Sequence, residues 1–225
     1  MYIRSCPLFI VLVLLLSCAG DEPASPGLRL RMKAFTRESM ISGRKAHGMV
    51  TFQEARVGVT KVELTTPSVQ DDPETEAEYE GAFWVDLLAG TSEPDFETVG
   101  LVPGNYDKIE VDLSPLVPGG KTLLVRFIHD QDQFELSTTQ ALDLELEGLS
   151  ALGLANVATP LDLLVLLDLD LLFQDITFDG LTPGNDGVIR INDTSNAGLL
   201  ADILDNLKDA CEAGEDEDRD GEIDD

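Results

Sequence analysis

LDLLVLLDLDLLF, residues 161–173, is the most apolar stretch of the chain outside its first eighteen residues. Two structures would bury such a run: a strand covered on both faces, or a leucine-rich helix inside a core. Leu167, Leu169, Leu171 and Phe173 alternate with Asp168 and Asp170. A period of two belongs to a strand, whose successive side chains point to opposite faces. Ile176 and Phe178 carry the alternation on to a turn at Asp179-Gly180. The run is therefore expected to be extended, and the chain mainly β.

The flanking sequence agrees. Upstream, Leu142, Leu144 and Leu146 alternate with Asp143, Glu145 and Glu147, and Ile109, Val111 and Leu113 with Lys108, Glu110 and Asp112. Leu28, Leu30, Met32 and Ala34 alternate with Arg29, Arg31 and Lys33, while Leu123, Val125 and Phe127, then Phe134 and Leu136, mark two more strands. In VGVTKVEL (57–64) the parity changes: Val57 and Val59 share one phase, Val62 and Leu64 the other. A β-bulge near Thr60-Lys61 would absorb the extra residue. Residues 68–82 (SVQDDPETEAEYEGA) hold six acids and no base, which reads as an exposed loop. Phe83, Trp84 and Val85 resume extended structure, and Pro103-Gly104 suits a type II turn. Ile189 and Ile191 give a last short strand.

Roughly eight to ten short strands at regular turn spacing imply an antiparallel β-sandwich of Ig-like or Greek-key type over residues 28–192. Val57, Val59, Val62, Leu64, Ile109, Val111, Leu142, Leu144, Leu146, Leu167 and Leu169 are expected in its core. After the N-cap residue types Asp193 to Asn196, Leu199, Leu200, Ile203, Leu204, Leu207 and Cys211 follow at helical spacing. They predict one C-terminal helix over 193–213, packed outside the sandwich with Cys211 buried on its apolar stripe.

The amino terminus carries an address. Arg4 precedes an apolar run from Pro7 to Leu16, too short to span a bilayer and long enough for a signal-peptide core. Ser17-Cys18-Ala19-Gly20 then resembles the lipobox of bacterial lipoproteins. That resemblance implies cleavage after residue 17, lipidation of Cys18, and membrane attachment through the lipid. The alternative is an ordinary secretory signal with Cys18 incidental. By analogy with lipoprotein sorting, Ala19 after the cysteine points to the outer membrane where the cell has one. Residues 18–27, small and proline-containing, read as a flexible tether. Of the three cysteines, Cys6 would leave with the signal and Cys18 would be lipidated, so Cys211 has no disulfide partner.

Acids outnumber bases by 43 to 15, and most of the bases lie before Pro67. Such a chain is a poor partner for nucleic acid or an anionic membrane surface, which require clustered Lys and Arg. His47 and His129 sit in polar surroundings without a Ser or Cys motif, so no catalytic residue is assigned and no enzymatic role is expected. Trp84 beside Phe83 and Val85 reads as packing before it reads as a sugar platform.

The tail, residues 214–225, has metal spacing. Asp216, Asp218 and Asp220 precede Gly221, with Ile223 and Asp224 beyond. This is the first part of an EF-hand-like calcium loop: alternate carboxylates converge, Gly allows the sharp turn, and Ile pins the loop to a core. The sequence stops at Asp225, before the glutamate expected at the twelfth position, and Asp186 and Asp193 are candidates to replace it. A disordered acidic tail is the rival reading.

From Val57 to about Phe178, the order of features resembles the bacterial family called domain of unknown function 4382. The shared features are the phase-shifted strand (57–64), the tryptophan strand FWVDLLAG (83–90), the turn and strand LVPGNYDKIEVDL (101–113), and LLDLDLLF (166–173). The resemblance implies an exported, often lipidated β protein without established catalytic residues. Two functions are then expected: a surface-anchored binding or adhesion module for an envelope protein or glycan, or a calcium-responsive structural component of the envelope.

Overall fold

A computed structural model describes residues 27–36, 50–65, 76–100, 105–153, 161–216 and 218–224. The signal sequence, Cys18, His47 and the Pro103-Gly104 turn lie outside these residues. Twelve strands are described: β1 (Gly27–Phe35), β2 (Thr51–Thr65), β3 (Glu76–Asp86), β4 (Thr91–Glu93), β5 (Val99–Gly100), β6 (Asn105–Leu113), β7 (Leu123–His129), β8 (Asp132–Thr138), β9 (Leu142–Gly153), β10 (Leu161–Asp168), β11 (Val188–Asn192) and β12 (Cys211–Glu215). Two helices, α1 (Leu169–Leu172) and α2 (Ala197–Asn206), complete the described elements.

The strands form a β-sandwich of two sheets. The smaller runs β12-β10-β1-β5; the larger runs β11-β8-β7-β2-β3-β4, with β6 and β9 branching from β2. Two pairs, β1–β10 and β8–β11, are parallel within an otherwise antiparallel architecture. Leu28, Leu30 and Met32 pair in register with Leu161, Leu163 and Val165, and all six join the core between the sheets. Of the eleven residues expected in the core, ten are buried; Leu142 is half-buried and packs against it.

The strand β2 organises the larger sheet, because its two halves pair with different partners on one edge. Thr51–Val57 pairs with β7 and Val59–Thr65 with β6. The division falls at Gly58, whose N–H donates to the Thr122 carbonyl at 2.9 Å and whose carbonyl accepts the Ser114 N–H at 2.9 Å. Pairing shifts between Val59 and Lys61, as the parity change in 57–64 predicts. The hydroxyl of the intervening Thr60 donates to the Asp112 carbonyl at 3.2 Å.

Three expectations need correction. First, residues 76–82 are not loop: they form the first seven of the eleven residues of β3, with Ala77 and Tyr79 buried and Glu78 and Glu80 exposed. Their acids crowd one face of a strand whose other face is core, so acid density concealed a period of two. Second, the run from Leu161 is a strand only to Asp168. There the buried Asp168 carboxylate accepts the N–H groups of Asp170 (2.9 Å) and Leu171 (3.1 Å), capping the single turn of α1. A capping aspartate and a solvent-facing strand aspartate look alike in the sequence. Phe173 and Phe178 instead join an aromatic cluster with Phe52, Phe127 and Phe134.

Third, the predicted helix over 193–213 is shorter. α2 covers Ala197–Asn206, and the Asn206 side-chain amide at its end donates to the Leu172 and Gln174 carbonyls at 3.2 and 3.0 Å. Cys211 then belongs to β12, opposite Leu167 on the edge of β10. An open strand edge offers a row of backbone partners, and pairing with it satisfies more polar groups than a frayed helix end does. The backbone beyond Asp209 is therefore held against the smaller sheet. Among the described residues, no helix is long and apolar enough to cross a membrane.

Candidate metal centre

The alternation along β1 that buries Leu28, Leu30 and Met32 turns Arg29, Arg31 and Lys33 to its other face. Those bases meet the carboxyl-terminal acids. β12 adds to the smaller sheet two strands from β1, and the Asp216 N–H prolongs its ladder by donating to the Asp162 carbonyl at 3.0 Å. Beyond it the chain turns back on itself. Arg219 and Gly221 adopt positive φ (63° and 90°), and the loop closes where the Asp224 N–H donates to the Glu215 carbonyl at 2.9 Å.

Glycine is required at two positions of this loop. At Gly221 a Cβ would lie 2.3 Å from the Lys33 amino nitrogen, and φ is already left-handed. At Gly214 it would lie 2.3 Å from Cγ2 of Ile223, which therefore rests on bare backbone. Ile223, expected to pin the loop to a core, is half-buried and packs instead on the backbone of the edge strand β12.

Asp216, Asp218 and Asp224 each bring one carboxylate oxygen to a common point, all within 4.8 Å of one another. Asp218 and Asp224 are exposed, whereas Asp216 is fully buried. One of its oxygens takes a hydrogen bond from the Arg31 guanidinium; the other, Oδ1, is buried and has no partner among the described residues. A buried carboxylate oxygen without a donor or cation is costly, and a cation at the cluster relieves that cost. Calcium binds oxygens at about 2.3–2.6 Å, so oxygens on opposite sides of one ion stand roughly 5 Å apart, and the observed spread fits within that. An all-oxygen, mostly carboxylate donor set suits a hard cation.

No family model, curated protein or solved structure matches this chain. The reading of the site rests on its own geometry.

Asp220, the fourth residue of the sequence pattern, is outside the cluster. Its Oδ1 accepts the Glu222 N–H at 2.9 Å, just as Asp218 Oδ1 accepts the Asp220 N–H at 3.1 Å, so these two shape the turn. The two auxiliary candidates are also occupied elsewhere. Asp186 binds both terminal nitrogens of Arg190 at 3.0 and 2.5 Å, which holds its carboxyl well below the usual carboxylate range. Asp193 accepts the Thr138 hydroxyl (2.8 Å), the Thr139 N–H and hydroxyl (2.8 and 2.9 Å) and the Gln140 amide (3.0 Å). Desolvation pushes its pKa up, but together these donors outweigh it and leave the net shift downward. Neither aspartate belongs to the metal cluster.

The sequence reading missed the basic half of this region. Arg29 Nη2 and Arg219 Nε both donate to the same oxygen of Asp162, at 3.1 and 2.9 Å. The signal was present: Arg29, Arg31 and Lys33 are spaced to share one strand face in a chain with few bases. His129 lies between Phe134 and Phe178, at ring distances of 6.2 and 5.2 Å, in an aromatic rather than a nucleophilic setting. Trp84 is half-buried under the Arg56 guanidinium at 5.0 Å, a cation–π contact.

Proposed function

We propose that this chain is a non-catalytic lipoprotein of the cell envelope, anchored through Cys18 in the outer membrane by analogy with lipoprotein sorting, whose tail loop takes a calcium ion as a structural clamp. The observation that carries the calcium reading is the buried, unpartnered Oδ1 of Asp216 beside the converging carboxylates of Asp218 and Asp224. The ion's role would be to neutralise this cluster and fix the returning loop against β1 and β10. The lipobox at Ser17-Cys18 supports the anchor. The resemblance of its β-structural order to the domain of unknown function 4382 family supports reading it as an exported β protein without a catalytic centre.

A binding role for the anchored domain is the second reading, with an envelope protein or glycan as partner. It is favoured by a cavity beside β1, described below.

Thermal melts of the purified full chain, with calcium and with chelator, test the clamp. Calcium at about a hundred times its dissociation constant should add roughly 2.7 kcal/mol of stability, seen as a higher Tm. The pair Asp218→Asn with Asp224→Asn should lose that shift. Equal shifts in parent and double variant would remove the clamp reading. Intact mass of the same preparation, compared with Cys18→Ala, should show acyl mass on the parent alone.

A further inference from the structure

Arg29, Arg31 and Arg219 are among the residues that line one cavity of about 430 Å³ beside β1, a size that suits a small-molecule ligand. Its lining also includes Thr91, Ser92 and Thr98 together with the half-buried Phe96, whose ring packs on Phe83 and Tyr79. Three arginines in one cavity are conspicuous in a chain with 43 acids and 15 bases. They are also under-used. A guanidinium presents a fork of N–H donors. Arg29 commits one nitrogen to Asp162, Arg31 one to Asp216, and Arg219 one to Asp162. Arg29 Nε is buried and has no acceptor among the described residues. Asp162 is shared, so a single carboxylate balances two guanidiniums. Asp95 also lines the cavity and is exposed.

We propose that this cavity is an oxyanion-binding site for an acidic saccharide. A carboxylate or phosphate matches the guanidinium fork bidentately and satisfies donors now lacking acceptors. The threonine and serine hydroxyls suit sugar hydroxyls, and Phe96 offers an apolar face to the ring. The site shares parts with the metal centre: Arg219 belongs to the loop between Asp218 and Asp220, and Arg31 binds the same carboxylate that offers Oδ1 to the ion. A calcium ion there adds positive charge beside the arginines and holds Arg219 in place. The saccharide therefore binds more tightly with calcium, and by linkage calcium binds more tightly with the saccharide. This coupling rests on the calcium reading above; the cavity itself does not.

Calorimetric titration of the full chain in detergent tests both parts, using glucuronate, glucose 6-phosphate and neutral glucose, each with calcium and with chelator. Glucuronate or glucose 6-phosphate should bind, glucose should not, and calcium should tighten the charged sugar at least threefold. Comparing the two charged sugars tells carboxylate from phosphate as the preferred group. Arg29→Lys keeps the charge but loses the fork and Nε, so it should weaken binding about tenfold while retaining the parent's Tm shift with calcium. Absence of charge-selective binding, or parental affinity in Arg29→Lys, overturns the site. Charged-sugar binding that ignores calcium, in a protein whose Tm responds to calcium, overturns the coupling. Charged-sugar binding with no Tm response to calcium overturns the clamp and supports the cavity.

Discussion

Arg31 on β1 and Asp216 beyond β12 form an ion pair across β10, although 185 residues separate them in the chain. The acid is fully buried and the base is about a third exposed. Removing the base leaves the acid in the interior with neither oxygen compensated. Arg31→Ala should therefore destabilise the chelated protein by about 2–3 kcal/mol, below the range for a fully enclosed pair because Arg31 already keeps contact with water. Calcium should restore part of that loss. Denaturant titrations with chelator and with calcium measure both effects.

Gly58 stands where β2 changes neighbours, and its backbone is hydrogen-bonded to Thr122 and Ser114. A Cβ there would lie 2.2 Å from the Ser114 carbonyl oxygen and 2.8 Å from the Leu116 nitrogen. Both are main-chain atoms, so no rotamer change clears the overlap. Gly58→Ala should cost about 1–3 kcal/mol or more. A midpoint in urea equal to the parent's would show that the fork is looser than its geometry implies.

Asp193 ties the end of β8 to the segment after β11 through Thr138, Thr139 and Gln140. Its pKa is lower in the folded protein than in the unfolded chain. The stabilisation is thus complete above the unfolded carboxylate pKa, near 4, and is lost as pH falls through the folded value. Asp193→Asn should lower stability at neutral pH and make the acid limb of the stability profile less steep. Chemical denaturation between pH 7 and pH 2 would reveal the change, and parallel profiles for both proteins would count against it.

Cys211 is half-buried, not fully buried as expected, and desolvation of its thiol against the core pushes it up to about 12. Its side chain lines a small apolar cavity between the sheets with Val165 and Leu207. Since the thiolate is the reactive form, Cys211 should resist alkylation at pH 8 until the protein is unfolded. Peptide-resolved labelling with iodoacetamide, with and without denaturant, reads this directly. Rapid labelling of the native protein would mean that β12 opens readily.

Much of the sandwich was legible because binary alternation survives in the sequence wherever one strand face is wet. The bulge at Thr60 announced itself through a parity change between Val59 and Val62. Where chemistry mimicked a different element, the reading failed. Glu76, Glu78 and Glu80 looked like loop acids, and Asp168 looked like a strand residue though it caps a helix. Cys211 kept helical phase with Leu204 and Leu207 but pairs with Leu167. Among the tail aspartates the spacing singled out Asp216, Asp218 and Asp224, whose carboxylates converge, while the role of Asp220 depends on a backbone turn invisible to spacing. The arginine cavity was hidden because its members come from residues 29, 31 and 219, and only the order of strands in the sheet unites them.

The parallel pairing of β1 with β10 also constrains when the domain can form. Leu28 meets Leu161 and Ala34 meets Leu167, so β1 finds its long neighbour 133 residues downstream. As the chain grows from its amino end, β1 appears first and waits until residues 161–168 follow. Contacts this distant in sequence slow folding and leave intermediates exposed. The Leu28, Leu30, Met32 and Ala34 face of β1 thus stays an uncovered apolar surface until β10 arrives.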